Sequence, residues 1–391
     1  MRKLKVVNIV GARPNLMKMA PIAWEMKNSD SIDSILLHTG QHYDKVLSDV
    51  FFQQLDIPTP DYNLGVGSGS HSYQTAQIMI RLEKLLVELH PSIVLVVGDV
   101  NSTMAGALVA AKLNIPLAHI EAGLRSFDQT MPEEINRKVT DAIAQFLFVT
   151  EDSGIKNLQL EGVRTFLNEG KPIERISPAV LEEFLNLYNN SLSTPIVAFV
   201  GNVMIDTMLA VKEKAEREAQ IDVPDYDYGL VTLHRPSNVD NPDVLTRIMA
   251  TLEEICESLP LIFPIHPRTR QRIEKSEFKI RQTKLKLIEP LGYLEFLKLM
   301  SHAKLVLTDS GGIQEETTIL DVPCLTLREN TERPITLTRG TNFLVGSNPK
   351  KIMDVVNSVL NGQIKKGIRP ELWDGRAAGR IVKILEQILH S

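Results

Sequence analysis

The stretch LVLTDSGGIQEE, residues 305–316, decides the architecture. A short apolar, β-branched run ends in Asp309-Ser310-Gly311-Gly312, and a helical pattern opens at once. A strand covered on both faces reads this way, followed by the turn into a helix that packs on its sheet. Such a turn aims the backbone N–H groups of Ser310, Gly311 and Gly312, and the positive end of the helix dipole, at an anion. Glu315 and Glu316 sit on the first helical turn, where a carboxylate could accept from ribose hydroxyls. The plainer alternative is a strand–helix turn whose acidic residues only favour the helix N-terminus.

Outward from this stretch, the same unit recurs. Strand candidates are 5–10, 34–38, 93–97, 117–120, 146–149 and 196–200, then 229–233, 261–265, 285–288, 305–308, 323–327 and 342–345. Amphipathic helical patterns lie between them, for example over 74–89, 206–219, 243–258 and 293–303. Repeated strand–helix units give parallel sheets, so the class is α/β, with two doubly wound Rossmann-like domains facing a central cleft. We expect a first domain over 1–195, a second over 196–370, and a helix over 371–391 that packs back on the first.

Composition agrees. At about 150 residues per domain, 391 residues make two domains, with three the alternative. The chain is 43% hydrophobic and 23% charged, an ordinary globular balance. Forty-three basic against 48 acidic residues leave a net charge of −5, which disfavours a nucleic-acid partner. The two cysteines, Cys256 and Cys324, cannot build a disulfide framework or a four-thiolate metal site. No stretch approaches the ~18 continuous apolar residues of a membrane helix, and the start lacks a signal h-region. The expectation is a cytoplasmic chain without a membrane partner.

In open parallel sheets, ligands bind beyond the carboxyl ends of the strands, and the unusual chemistry collects there. Gly11-Ala12-Arg13-Pro14-Asn15, followed by Lys18, departs from the G-x-G-x-x-G pattern, so dinucleotide binding is not indicated. Arg13 offers a planar fork and Lys18 a point charge, a pair suited to a diphosphate, or else two solvated surface cations. Asp99, Glu121, Glu133 and Glu134 are candidates for proton transfer, with Arg137 one turn beyond Glu133. Their bland reading makes Asp99 a helix cap and Glu133–Arg137 a surface ion pair. His234 and His266 end strands beside arginines, which suits phosphate contact or proton donation; no H-E-x-x-H or Cys–His cluster suggests zinc. Arg328, Arg333 and Arg339 either add phosphate contacts or solvate a loop.

These residues resemble the non-hydrolysing UDP-N-acetylglucosamine 2-epimerases. The resemblance runs through GARPNLMKMAP (11–21), GDVNST (98–103), HIEAGLRS (119–126), MPEEINR (131–137), VGNVMID (200–206), LHR (233–235), TDSGGIQEE (308–316) and TERP (331–334). It implies a glycosyltransferase B type fold and a reaction without metal or nicotinamide. The C2 proton is removed as UDP departs from C1, and both return to the 2-acetamidoglucal with C2 inverted. By the same resemblance Asp99, Glu121 and Glu133 are the acid/base carboxylates, Arg137 positions them, and His234 assists the departing UDP. Arg13, Lys18 and His266 would contact phosphate or sugar, with Ser310, Gly311 and Gly312 on the diphosphate. Glu316 would bind ribose, Phe296 would pack on uracil with Leu291 giving a backbone contact, and Arg333 would touch the nucleotide. A homodimer is implied, and no cofactor.

Three departures bear on substrate. Ala12 and Asn15 stand where many members have Thr and Glu, as in relatives acting on UDP-2,3-diacetamido sugars; such a sugar or uronate is the alternative substrate. A glycosyltransferase of the same fold is the other alternative, although four clustered catalytic groups are more than a transferase base needs. The segment 38–52 lacks the second glutamine pattern of members activated by substrate, so such activation is not expected. A polar stretch over 164–195 intervenes where the family runs on directly, read as a solvated elaboration or as a lid or oligomer contact.

Overall fold

In the computed structural model, the described residues are 3–41, 54–190, 194–275, 278, 281 and 283–389. The segment 38–52, read above for allosteric activation, therefore lies outside the described residues from 42 onward.

Consecutive apolar residues make strands with no wet face, and Ile93–Val97 is buried at every position. The first sheet is built from β1 Leu4–Val10, β2 Ile32–His38, β3 Tyr62–Asn63, β4 Ile93–Val97, β5 Leu117–Ala122, β6 Phe146–Val149, β7 Thr165–Phe166 and β8 Ile196–Phe199. Their order is β3-β2-β1-β4-β5-β6-β8-β7. The second sheet holds β9 Gly229–Thr232, β10 Leu261–Pro264, β11 Leu285–Ile288, β12 Leu305–Thr308, β13 Cys324–Thr326 and β14 Asn342–Leu344, in the order β11-β10-β9-β12-β13-β14. Neighbouring strands pair in parallel in both, for example Val6↔Ile93 and Leu305↔Gly229. Each is a doubly wound Rossmann-like sheet whose strand order reverses at its centre, between β1 and β4 in the first and between β9 and β12 in the second, with β7 added back beyond β8 at the first sheet's edge. Val7, Ile9, Val94, Val96 and Leu147 pack one core. Val231, Phe263, Leu305 and Leu307 with Ile248 and Leu252 pack the other.

The chain divides into two compact units, Met1–Leu209 with Glu371–Ser391, and Ala210–Pro370. The division expected at 195/196 is thereby displaced. Ile196–Phe199 pairs with β6, Phe146↔Ile196 through Val149↔Phe199, and so extends the first sheet instead of opening the second. From Glu371 the chain clusters with the first unit. Trp373 is fully buried and its indole N–H donates to the Thr150 carbonyl at 3.1 Å. The helix Ala377–Glu386 packs on the helix Arg13–Lys27, and its Ala378 N–H donates to Asp206 Oδ2 at 2.7 Å.

The stretch 164–195 is not merely a solvated elaboration. Its β7 pairs with β8 at the sheet edge, and the helix Pro178–Asn190 buries Phe184. The rings of Phe184 and Tyr188 lie 5.8 Å from that of Phe146. A pocket lined by Asn114, Gln145, Tyr188 and Thr194 opens at the amino ends of β5, β6 and β8, the opposite end from the expected chemistry. Among the described residues no helix is long and apolar enough to cross a membrane.

Candidate functional site

In the first unit the site is built at the carboxyl ends of β1, β4 and β5. The turn after β1 is organised by Asn15, whose side-chain oxygen accepts the N–H groups of Gly11 and Ala12 at 3.3 and 3.2 Å. Its amide donates to the Val97 carbonyl at 2.8 Å, tying this turn to the end of β4. One helical turn on, Lys18 is buried against Glu121, the two forming an ion pair. Lys18 is thus neither a solvated cation nor an open phosphate contact; Arg13, in contrast, is exposed.

Glu121 sits at a register shift in the β5–β6 pairing, between Ile120 and Ala122, with φ at +75°. A non-glycine residue held left-handed at a strand end is backbone strain kept by its surroundings. Gly98, at φ +70°, makes room for the pair. A Cβ there would lie 3.1 Å from Lys18 Nζ and 3.4 Å from Glu121 Oε2.

The N-cap of the following helix is Val100, and the Asp99 carboxylate before it is engaged by Arg137: its Oδ2 accepts from Arg137 Nε at 3.1 Å and Nη2 at 2.8 Å. Arg137 is buried, so this is no surface pair. Its Nη1 donates to Glu134 at 2.7 Å. The Glu134 carboxylate also accepts Ser126 N–H at 2.8 Å and Phe127 N–H at 3.2 Å. Glu134 therefore secures the loop 124–131 and the arginine together, a supporting role the sequence reading did not separate from proton transfer. Glu133 is half-buried on the first turn of the helix Pro132–Ile143, the same helix as Arg137.

In the second unit the corresponding strand ends are those of β9 and β12. His234 is half-exposed, with its Nδ1 3.0 Å from the fully buried Asp309. Asp309 also accepts the backbone N–H groups of His234 and Arg235 at 3.1 and 3.0 Å and the Asn238 amide at 3.1 Å. These contacts hold the Asp309 carboxyl below the usual carboxylate range although burial alone would raise it. The imidazole is consequently presented with Nε2 outward. Sequence reading passed over Asp309, since one acidic residue after a strand carries no spacing signal.

The glycine turn departs from expectation at two positions. Ser310 N–H is engaged by the Thr308 hydroxyl at 3.0 Å, so the outward donors of the helix Gly311–Leu320 start at Gly311 and Gly312. Arg333 is buried rather than open to a nucleotide. It pairs with Glu315 at 2.9 Å and Glu332 at 2.6 Å, and Glu332 in turn pairs with Arg328 at 2.8 Å. A Cβ on Gly311 would meet Glu332 Oε1 at 2.8 Å, so this charge network underlies the turn.

Glu316 accepts from Tyr293 Oη at 2.7 Å. Burial, reinforced by Glu315 and opposed by Tyr293, pushes its carboxyl up to about 7. Phe296 and Leu291 are half-buried, Phe296 on the helix Tyr293–His302 that also carries Tyr293. His266 is exposed at the end of β10, its Nδ1 accepting Arg268 N–H at 3.2 Å.

A family model described as UDP-N-acetylglucosamine 2-epimerase matches residues 24–386. A UDP-N-acetylglucosamine 2-epimerase of Methanocaldococcus jannaschii is 42% identical over 98% of this chain and 99% of its own length. A UDP-2,3-diacetamido-2,3-dideoxy-D-glucuronate 2-epimerase of Pseudomonas aeruginosa is 37% identical over 98% and 100%. A crystal structure of the M. jannaschii UDP-GlcNAc 2-epimerase in complex with UDP-GlcNAc and UDP, at 40% identity, superposes with a TM-score of 0.82 over 98% of this chain and 99% of that one. Two doubly wound sheets, strand-end carboxylates paired with buried cations, and relatives matching nearly end to end converge: the chain belongs to the UDP-N-acetylglucosamine 2-epimerase family.

Proposed function

We propose that this enzyme interconverts UDP-N-acetylglucosamine and UDP-N-acetylmannosamine, with Asp99, Glu121 and Glu133 handling the C2 proton. The observation that carries this is the pairing of Asp99 with Arg137 and of Glu121 with Lys18 at adjacent strand ends. Each carboxylate is fixed at a strand end by a buried cation, a placement that suits proton transfer at a defined carbon.

In the forward half-reaction a base removes the C2 proton. The C2–H electron pair becomes the C1=C2 double bond of 2-acetamidoglucal, and the C1–O bond breaks to release UDP. The reverse steps deliver the proton to the other face. Stabilising the departing diphosphate is then as important as the base. The Gly311 and Gly312 N–H groups, His266, Arg13 and His234, aimed by Asp309, are assigned to it. Glu316 holds the ribose and Phe296 packs on uracil.

Two unpaired buried thiols, Cys256 and Cys324, support a reducing, cytoplasmic setting. The working assembly is a homodimer by family expectation, checked by light scattering. Likeness to the P. aeruginosa enzyme supports a second reading, a UDP-2,3-diacetamido sugar or uronate as substrate.

Proton NMR in deuterated water with UDP-N-acetylglucosamine tests the proposal. A second anomeric signal with deuterium at C2 is expected. Bound but unchanged substrate turns the assignment to the diacetamido sugar, and free sugar with UDP would indicate a hydrolysing enzyme.

A further inference from the structure

His119 and Asp141 take no part in the chemistry above, yet both are buried at the centre of the first-unit site. His119 lies in β5, two residues before Glu121, and Asp141 lies on the helix Pro132–Ile143 one turn after Arg137. His119 Nδ1 is 2.6 Å from Asp141 Oδ1, and Nε2 is 2.8 Å from the Gly98 carbonyl oxygen. Each ring nitrogen therefore faces an oxygen acceptor.

The other end of Asp141 is equally occupied. Its Oδ2 accepts Gly123 N–H at 3.0 Å and pairs with Arg125 Nη1 at 2.7 Å. Arg125 is itself held by Glu161 at 2.6 Å. Burial alone would raise the Asp141 carboxyl, but contact with His119 and Arg125 holds it below the usual carboxylate range. A buried carboxylate with all these partners is a fixed point, since losing any one leaves an unsatisfied polar group.

What this point fixes is the placement of both proton-transfer carboxylates. The Gly98 carbonyl belongs to the residue before Asp99, and the Gly98 N–H donates to the Ile120 carbonyl, the residue before Glu121, at 3.0 Å. Gly123 N–H anchors the chain just after Glu121, on the far side of its strained +75° φ. Asp141 shares its helix with Glu133 and Arg137.

We propose that His119 and Asp141 are positioning residues for the epimerase reaction: the chain Asp141–His119–Gly98 sets the separation and aim of Asp99 and Glu121 without touching substrate. This rests on the function proposed above. A displacement of about 1 Å in a reacting group can cost on the order of 100-fold in rate. The cost of losing the clamp therefore belongs in kcat, not in UDP affinity, whose assigned groups, Arg13 apart, lie in the second unit.

The test compares His119→Phe with His119→Gln. Phenylalanine fills the space and donates nothing, whereas a glutamine amide can still donate to the Gly98 carbonyl. In His119→Phe we expect kcat per folded enzyme to fall about 100-fold, with KM and the dissociation constant for UDP within threefold of wild type. Hydrogen–deuterium exchange of the peptide spanning 98–101 should rise. His119→Gln should recover at least tenfold in kcat and restore the slow exchange.

Folded variants with wild-type kcat and wild-type exchange overturn the proposal. So does a loss that is equal in both variants and shared by UDP affinity, since that marks general disruption. If wild-type protein itself exchanges no C2 proton with any UDP-sugar, the functional reading fails. The exchange of 98–101 and the two ring N–H signals of His119 in wild type then still decide whether the clamp exists.

Discussion

Glu121 carries two burdens, the proton-transfer role proposed for it and the counter-charge it gives to buried Lys18. Replacing it by glutamine should lower turnover by about 10²–10⁴-fold, the usual share of a general base, while calorimetry shows UDP binding retained. Lost UDP affinity would show that the residue serves the nucleotide instead. The same substitution leaves a buried ammonium without its partner, so thermal stability should fall as well.

Glu316 makes a pH-resolved prediction. Its carboxyl titrates at about 7, so below that pH it is neutral and a poorer acceptor for ribose hydroxyls. KM for the UDP-sugar should decrease as pH rises through 7. Glu316→Gln should flatten that dependence and weaken binding about tenfold, in keeping with a hydrogen bond to a charged group. A pH-dependent KM surviving in Glu316→Gln would assign the titration elsewhere. At this scale the sequence displayed residue types and little else. Lys18 and Arg333 look like any surface cation until burial shows each locked to carboxylates, and Asp309 and Asp141 become visible only through the atoms they hold.

Among elements, strand–turn–helix units were the most legible feature, because a strand covered on both faces has to be apolar at every position. Ile93–Val97, Phe146–Val149 and Leu305–Thr308 match the sequence reading residue for residue. The domain division was not legible: the apolar run at Ile196–Phe199 reads the same whether it ends one sheet or begins the next. Nor were the two-residue strands Tyr62–Asn63 and Thr165–Phe166, too short to show alternation.

The turn into Gly311–Leu320 is where packing makes a sharp demand. Gly311→Ala would push a methyl to within 2.9 Å of Arg333 Nη1 as well as onto Glu332. We expect a loss of about 1–3 kcal/mol in denaturant unfolding, as for overpacked sites, together with weaker UDP binding. Unchanged affinity for UDP would remove this turn from the nucleotide site.

On the scale of the whole chain, the return of Glu371 onward to the first unit rests partly on Asp206. Burial pushes its carboxyl up to about 7, against the pull of the Ala378 and Ala377 N–H groups. Between about pH 4 and 7 the native protein therefore holds a proton that the unfolded chain has released, so this group's stabilisation is present at low pH and is lost as pH rises through 7. Asp206→Asn keeps an acceptor for Ala378 but cannot ionise. Its melting temperature relative to wild type should climb from pH 5 to pH 8, by about 2–4 °C per kcal/mol for a unit of this size. A constant difference would place the titration on another group.

That return has a consequence for how the molecule is made. The core of the first unit includes Trp373, Ala377, Ile381 and Ile384, all synthesised after the second unit, Ala210–Pro370. At about 5–20 residues per second, a ribosome takes roughly ten to thirty seconds to cross that interval. During it the strands ending at Asp99 and Glu121 are already outside with their last wall missing, while the second unit can fold ahead of them. Chaperone demand on the nascent chain should therefore peak after the first two hundred or so codons, and the proton-transfer site should be the later of the two to mature.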